Sequence, residues 1–214
     1  MPAATPAIQS TDHRTARRQQ RFAKLWRSMD QAVHEQVLPA KRAVLHDLPA
    51  HIVEIGPGRG SNFSLYPQGA RVVGFEPNPY FDDDLGEAAR EHGLELELRR
   101  DLLADRLPAA SADVVVSTLV LCSVPDAPAM LDEIWRVLKP GGRLLFIEHV
   151  AAPQHGLRRA YQRLVRRPWR WLGDGCDTCA RTAEQLEASR FELSDTELRP
   201  LGSNLDPTNL TMWG

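Results

Sequence analysis

No run in this 214-residue chain approaches the ~18–20 consecutive apolar residues of a membrane-spanning helix. Its first residues lack the apolar core of a secretory signal. Neither a membrane span nor a secreted product is expected. Cysteine is scarce: three residues, an odd number, do not build a disulfide framework. A reducing, cytoplasmic setting is the expectation. Charge of one sign is missing too. Lys and Arg number 26 against 28 Asp and Glu, a formal net charge of −2. Bulk electrostatics therefore give no reason to expect nucleic acid or a membrane as partner. Internal repeats and low-complexity tracts are absent. The length is ample for one α/β domain with a large core and short additions.

Residues 1–12, rich in Ala, Pro, Thr and Ser, read as loose chain. Residues 13–47 read as a helical arm with a break near Pro39, placing Phe22, Leu25, Trp26 and Met29 opposite Arg14, Arg17, Arg18, Arg21 and Lys24. From residue 48 to 214 the pattern alternates. Strands are expected at 51–56, 71–76, 94–99, 112–118 and 142–150, and helices near 60–66, 82–92 and 127–139. That alternation implies a doubly wound, Rossmann-like parallel sheet with helices on both faces. An Arg-rich helix is expected at 155–171, another at 179–189, and strand-like runs near 190–200 and 207–213.

The most informative stretch is Ile52-Val-Glu-Ile-Gly-Pro-Gly-Arg-Gly60. A β-branched run ends in an acid, Glu54, and a turn built on Gly56, Gly58 and Gly60 follows. Glycines there let backbone approach a ligand with no Cβ in the way. The next strand, Arg71-Val-Val-Gly-Phe, closes on a second acid, Glu76, about 20 residues later, the spacing of a nucleoside site whose acid accepts the ribose hydroxyls. A dinucleotide site usually spaces its glycines G-x-G-x-x-G, to set a helix N-terminus against a pyrophosphate. Here the spacing is G-x-G-x-G, preceded by an acid. S-adenosylmethionine (SAM) carries a sulfonium and an ammonium and no phosphate, so it fits this turn better. A dinucleotide oxidoreductase is the competing reading.

With Asp101-Leu102 after the third strand and Lys139-Pro-Gly-Gly142 before the fifth, the set resembles the class I SAM-dependent methyltransferases. The resemblance implies a mostly parallel seven-stranded sheet whose last strand inserts antiparallel. It implies that Glu54, Gly56, Gly58 and Gly60 shape the methionine end of the SAM site, with Asn62 opening the following helix. Asn62 as a plain helix cap is the alternative. Glu76 would take the ribose, or be a solvated strand-end acid. Pro77 and Asn78 would flank the adenine. Asp101 would face its amino group beside the Leu102 backbone, or cap a turn. Thr118 and Leu119, at the carboxyl end of strand four, would lie against SAM, where ligands bind in such sheets.

A narrower resemblance runs through Asn62-Phe-Ser-Leu-Tyr-Pro67, Glu76-Pro-Asn-Pro79, Thr118-Leu-Val-Leu-Cys-Ser-Val124, Glu148-His-Val-Ala-Ala152, Pro168-Trp169 and Asp174-Gly-Cys176. In this order the words look like the methyltransferase-like-7 (alkyl-thiol methyltransferase) group and its small bacterial relatives. The chain departs from the animal proteins in two ways. An Arg-rich arm stands where they have a hydrophobic anchor, and Ala180 stands where they have Arg, with Arg181 next. The resemblance implies methyl transfer from SAM to a small-molecule acceptor, a thiol first, with S-adenosylhomocysteine as product. O- or N-methylation of a quinone-like, phospholipid-like or natural-product acceptor is the alternative. SAM binding without catalysis is a remoter one. The Asn/Asp-Pro-Pro-aromatic signature of base and amide N-methyltransferases is absent after strand four.

His149 ends strand five, where it should face the crevice as base or positioner of the acceptor, unless local hydrogen bonds merely satisfy it. Glu148 should point to the other face. Asp174 and Cys176 would line the substrate mouth, or form a turn on Asp-Gly. Cys176-Asp-Thr-Cys179 is a C-x-x-C with no second pair, so no metal is expected. The arginines of 155–171, with Trp169 and Trp171, form a solvated face or a weak peripheral contact with an anionic membrane surface or acidic substrate.

Overall fold

A computed structural model describes residues 13–100 and 107–214. Seven strands form one sheet in the order β3-β2-β1-β4-β5-β7-β6. They are β1 (His51–Ile55), β2 (Arg71–Phe75), β3 (Glu95–Arg99), β4 (Ala112–Thr118), β5 (Leu138–His149), β6 (Glu197–Pro200) and β7 (Leu210–Trp213). β1 to β5 pair in parallel, and β7 inserts antiparallel between β5 and β6. The helices are α1 (His13–Val44), α2 (Asp82–Glu91), α3 (Ala127–Val137), α4 (Leu157–Leu172) and α5 (Thr182–Glu187).

Alternation along each strand splits the apolar residues into two layers. Ile52, Val72, Val114, Val116, Leu145 and Ile147 face α1 and α2, where Ala23, Ala40, Val44, Leu85 and Ala89 are buried. Val53, Ile55, Val115 and Phe146 face the other way, onto Leu131, Ile134 and Val137 of α3 and Leu186 of α5. Such two-sided burial explains the nearly continuous β-branched runs of β1 and β4. Sheet order reverses between β1 and β4, and Ile55 pairs with Ser117 there. The turns that leave these two strands therefore open side by side, at the switch point where such sheets hold ligands.

Four expectations need correction. The helix expected at 60–66 is a single 3-10 turn, Phe63–Leu65. Gly58 and Gly60 hold left-handed backbone just ahead of it, and Pro67 follows, so there is no room for helix. The break near Pro39 does not occur: α1 runs through it, with Val37, Ala40 and Val44 buried around the lost backbone bond. Met29, expected on the apolar face, is 38% exposed. The strand expected at 190–200 forms only at Glu197–Pro200, as the sheet's edge.

Candidate active site at the carboxyl edge of the sheet

The glycine turn is held from below and from the side. Beneath it, Glu54 is buried. Its Oε1 accepts from Asn62 Nδ2 at 2.7 Å and its Oε2 from the Tyr66 hydroxyl at 2.8 Å. Asn62 makes no side-chain cap bond. Its amide instead spans Glu54 and Thr118 Oγ1, the latter at 3.0 Å. At the side, the Glu76 carboxylate accepts from Gly58 N at 3.0 Å and Asn78 N at 2.8 Å, tying the turn after β1 to the end of β2. A Cβ on Gly56 would lie 2.7 Å from Val120 Cγ2, and φ there is +59°. The close approach of the two turns thus requires glycine.

Asn62 Oδ1 is buried without a hydrogen-bond partner. A buried, unpartnered acceptor is costly unless a donor arrives. Here it sits beside a carboxylate and a glycine turn, a set of acceptors that fits the ammonium of an amino-acid moiety.

α1 crosses over this edge. Gln19 Nε2 donates to Pro77 O at 3.1 Å, and Asn78 Nδ2 donates to Gln19 O at 3.1 Å. Arg18 pairs with Asp174 at 2.6 Å, and Arg21 stacks on Trp171. Sequence reasoning only placed these arginines opposite the apolar face of the arm. Their partners lie some 150 residues away, and no local period could reveal them.

The second half of the site is at the ends of β4 and β5. Leu119, just past β4, has φ +59° and donates its N–H to Ile147 O at 2.8 Å. A left-handed leucine is strained backbone of the kind found at functional turns. Glu148 is buried and fully used. It accepts from Ser117 Oγ at 2.7 Å and from Val120 N and Leu121 N at 3.1 Å each, fixing the loop that carries Cys122. His149 points the other way. Its Nε2 lies 3.4 Å from Cys176 Sγ, which also receives the Trp169 indole N–H at 3.2 Å.

The donor atoms of Cys122, His149 and Cys176 all lie within 4.8 Å of one another. Cys122 and His149 are buried, and Cys176 is partly exposed. The neighbouring Cys122 sulfur holds the Cys176 thiol well below its usual range, helped by His149 and Trp169 and opposed by burial. Burial pushes the Cys122 thiol well up, and neighbouring Cys176 adds to this. For His149, burial acts downward, but Cys176 and Glu148 outweigh it and the imidazole is raised. The arrangement sets a partly exposed thiol of lowered pKa against His149, with a buried thiol of raised pKa behind it. Cys179 is not in this group. The three donors fall one short of a closed structural zinc site.

Asp174 and Gly175 do form a turn, with φ of 49° and 105°, and Asp174 adds its ion pair to Arg18. Gly175 lies against Ser123 O, so the turn borders the loop that carries Cys122. Asp101 and Leu102 lie outside the described residues. Sequence reasoning missed Cys122 as a site residue. Its signal was present in the Thr118–Val124 run, but only the fold brings residues 122, 149 and 176 together.

Residues 53–146 match the family model described as Methyltransferase domain. Thiol S-methyltransferase TMT1B of Rattus norvegicus is 39% identical over 154 residues, 70% of this chain and 63% of that protein. Thiol S-methyltransferase TMT1A of Homo sapiens is 35% identical over 171 residues, 74% of this chain and 70% of that one. The chain belongs to this methyltransferase family. It spans less than two thirds of the TMT1B relative's length, 63%. The S-adenosylmethionine dependent methyltransferase of Mesorhizobium loti shares the fold, with a TM-score of 0.59 and 22% identity over 83% of this chain and 96% of that one.

Within this family frame, the two buried acids make a prediction about stability. Burial raises Glu54 and Glu76 from 4.5 to about 7, against hydrogen bonds that act to lower them. A raised carboxyl stabilises the fold below its unfolded pKa and loses that contribution as pH climbs through its folded value. The free protein should therefore lose stability between pH 4.5 and 7, on the order of 3 kcal/mol per group at most. Glu54→Gln should flatten that slope in thermal melts taken across the window. An unchanged slope would show that Glu54 ionises freely in the fold.

Proposed function

We propose that the protein transfers the methyl group of SAM to a small-molecule thiol, leaving S-adenosylhomocysteine. The observation that carries the thiol assignment is the Cys122–His149–Cys176 group, on the strand ends next to the glycine turn. A soft, sulfur-lined end suits a sulfur acceptor. The relationship to proteins named thiol S-methyltransferases supports the same reading.

When bound, SAM supplies a methyl carbon already activated by sulfonium. The residues present fit it. Gly56, Gly58 and Gly60 would admit the methionine end, and Asn62 Oδ1 would receive the ammonium, with Glu54 holding Asn62 in place. Glu76 would accept the ribose hydroxyls. Pro77 and Asn78 would flank the adenine, and Asp101 with Leu102 would meet its amino group. Thr118 and Leu119 would form the wall toward the acceptor.

The rest of the work is alignment, which alone can contribute several kcal/mol, and removal of one proton. A thiol of ordinary pKa, about 8.5, needs only mild help at neutral pH. The Cys176–His149 pair is the proton acceptor at hand, with Asp174 and Cys176 at the mouth. The setting we assign is cytoplasmic, with no nucleic acid as partner.

Incubating the protein with labelled SAM and a panel of thiols, phenols and amines tests the reading. Label should pass to thiols. A folded, SAM-binding protein that methylates phenols or amines and no thiol would leave a methyltransferase with an O- or N-acceptor. Binding of SAM with no transfer to any acceptor would point to a non-catalytic SAM-binding protein.

No helix among the described residues is long and apolar enough to cross a membrane. Peripheral contact has a structural basis, however. Leu157, Leu164 and Trp171 recur every seven residues along α4 and are 92%, 79% and 59% exposed. Arg163 and Arg167 are exposed along one side of that stripe. Weak binding to vesicles containing anionic lipid should follow, and it should fade as salt rises. Leu164→Glu should abolish it. Salt-resistant partition would contradict this account.

A further inference from the structure

A partly exposed thiol of lowered pKa, backed by a buried second thiol, is the arrangement of a residue that reacts with disulfides and is then resolved. Cys176 is the exposed member, bracketed by His149 Nε2 at 3.4 Å and the Trp169 N–H at 3.2 Å. Cys122 is the buried member, its sulfur within 4.8 Å of both Cys176 Sγ and His149 Nε2. Both cysteines lie in loops rather than in strands. Closing the gap to the ~2.05 Å of a disulfide moves loop residues and no strand. Cys176 faces Cys122, 54 positions away, and Cys179, its neighbour in the C-x-x-C, is not in the cluster.

We propose that Cys176 is a site of thiol–disulfide exchange with small-molecule disulfides, and that Cys122 resolves the product. The Cys176 thiolate attacks one sulfur of a disulfide RS–SR. The S–S bond breaks, Cys176–S–SR forms, and RS⁻ leaves and takes a proton. Cys122 then gives up its proton to the second leaving thiolate and attacks the Cys176 sulfur. A Cys122–Cys176 disulfide forms and the second RSH departs. Two protein thiols are oxidised and one small-molecule disulfide is reduced to two thiols. Excess small thiol runs the same steps backward. The bridge ties up the Cys176 sulfur beside His149, at the place the proposed function assigns to the acceptor. A thiol-rich surrounding therefore leaves that sulfur free, and a disulfide-rich one ties it up. This chemistry is independent of SAM, so it stands or falls apart from the methyl-transfer reading.

The test uses the reduced full-length chain and oxidised glutathione, with free thiols counted and linked peptides mapped without reduction. The wild type should lose two of its three thiols, gain no retained glutathione, and yield one crosslink, Cys122 to Cys176. Dithiothreitol should reverse it. Cys122→Ser should stop at one glutathione per chain, on Cys176. Cys179→Ser should behave as the wild type. His149→Ala should slow the first step about tenfold at neutral pH, because the imidazolium no longer favours the thiolate. Circular dichroism confirms that each variant is folded, and the wild-type map decides the matter without any variant. A Cys176–Cys179 bridge, a stable mixed disulfide with Cys122 still free, or no reaction at Cys176 would each overturn the proposal.

Discussion

His149→Ala should lower the rate of thiol methylation by about 30-fold at pH 7 for an acceptor of ordinary pKa, and progressively less as pH rises. At pH 7 a thiol of pKa about 8.5 is only about 3% thiolate, so help with deprotonation is worth at most the reciprocal. Above the acceptor's pKa the nucleophile forms unaided and the deficit should shrink toward any loss of alignment. Acceptors of lower pKa should show a smaller deficit at every pH. The loss acts through two contacts. His149 holds the Cys176 sulfur at 3.4 Å, and its charge is one cause of that thiol's lowered pKa. Removing the ring leaves less Cys176 thiolate at the mouth to take the acceptor's proton. Rates measured across pH with two acceptors of different pKa check the account. A deficit of equal size at all pH values would mean that His149 only positions the acceptor.

Much of the fold was legible in the sequence because the sheet is buried on both faces. The runs Ile52–Ile55 and Val114–Val116 admit little but central parallel strands, and the glycine turn marks where the first one ends. The antiparallel entry of β7 came from resemblance alone, since four residues, Leu210–Trp213, carry no directional signal. Local failures have local causes. The left-handed glycines left space for a 3-10 turn where helix was expected. Pro39 was tolerated because burial of its neighbours outweighs one missing bond.

The cofactor half of the site was legible because it is contiguous: an acid, three glycines and a second acid lie within 23 residues, Glu54 to Glu76. The other half was legible only in pieces. His149 and Cys176 were named separately, and Cys122 went unassigned within its run. What joins them is the alignment of β4 with β5 and the return of the chain after α4, a tertiary event with no periodic trace. The covering of the crevice by α1 was equally invisible. In sequence, Arg18 and Arg21 stand only opposite the arm's apolar face, with nothing to point to Asp174 and Trp171 as their partners.

Glu76→Ala should weaken binding of both SAM and S-adenosylhomocysteine by one to two decades. A charged hydrogen-bond acceptor contributes roughly 1.5–3 kcal/mol, and each decade is about 1.4 kcal/mol. Both carboxylate oxygens already accept backbone N–H groups, at 3.0 Å from Gly58 and 2.8 Å from Asn78. Truncation therefore also loosens the turn that would meet the methionine end. Glu76→Gln keeps the shape and one acceptor oxygen, and should recover part of the loss. Protonation gives a sharper signature. Burial raises the free carboxyl to about 7, while two ribose hydroxyl donors would favour its ionised form. Binding should then release a proton below that pH. Affinity should rise with pH up to about 7 and level off above it. Calorimetry in buffers of different ionisation enthalpy measures the released proton directly, and Glu76→Gln should abolish it. Tight binding of NAD with none of SAM would sink the cofactor assignment. Tight SAM binding with no proton release would keep SAM and remove Glu76 from the ribose.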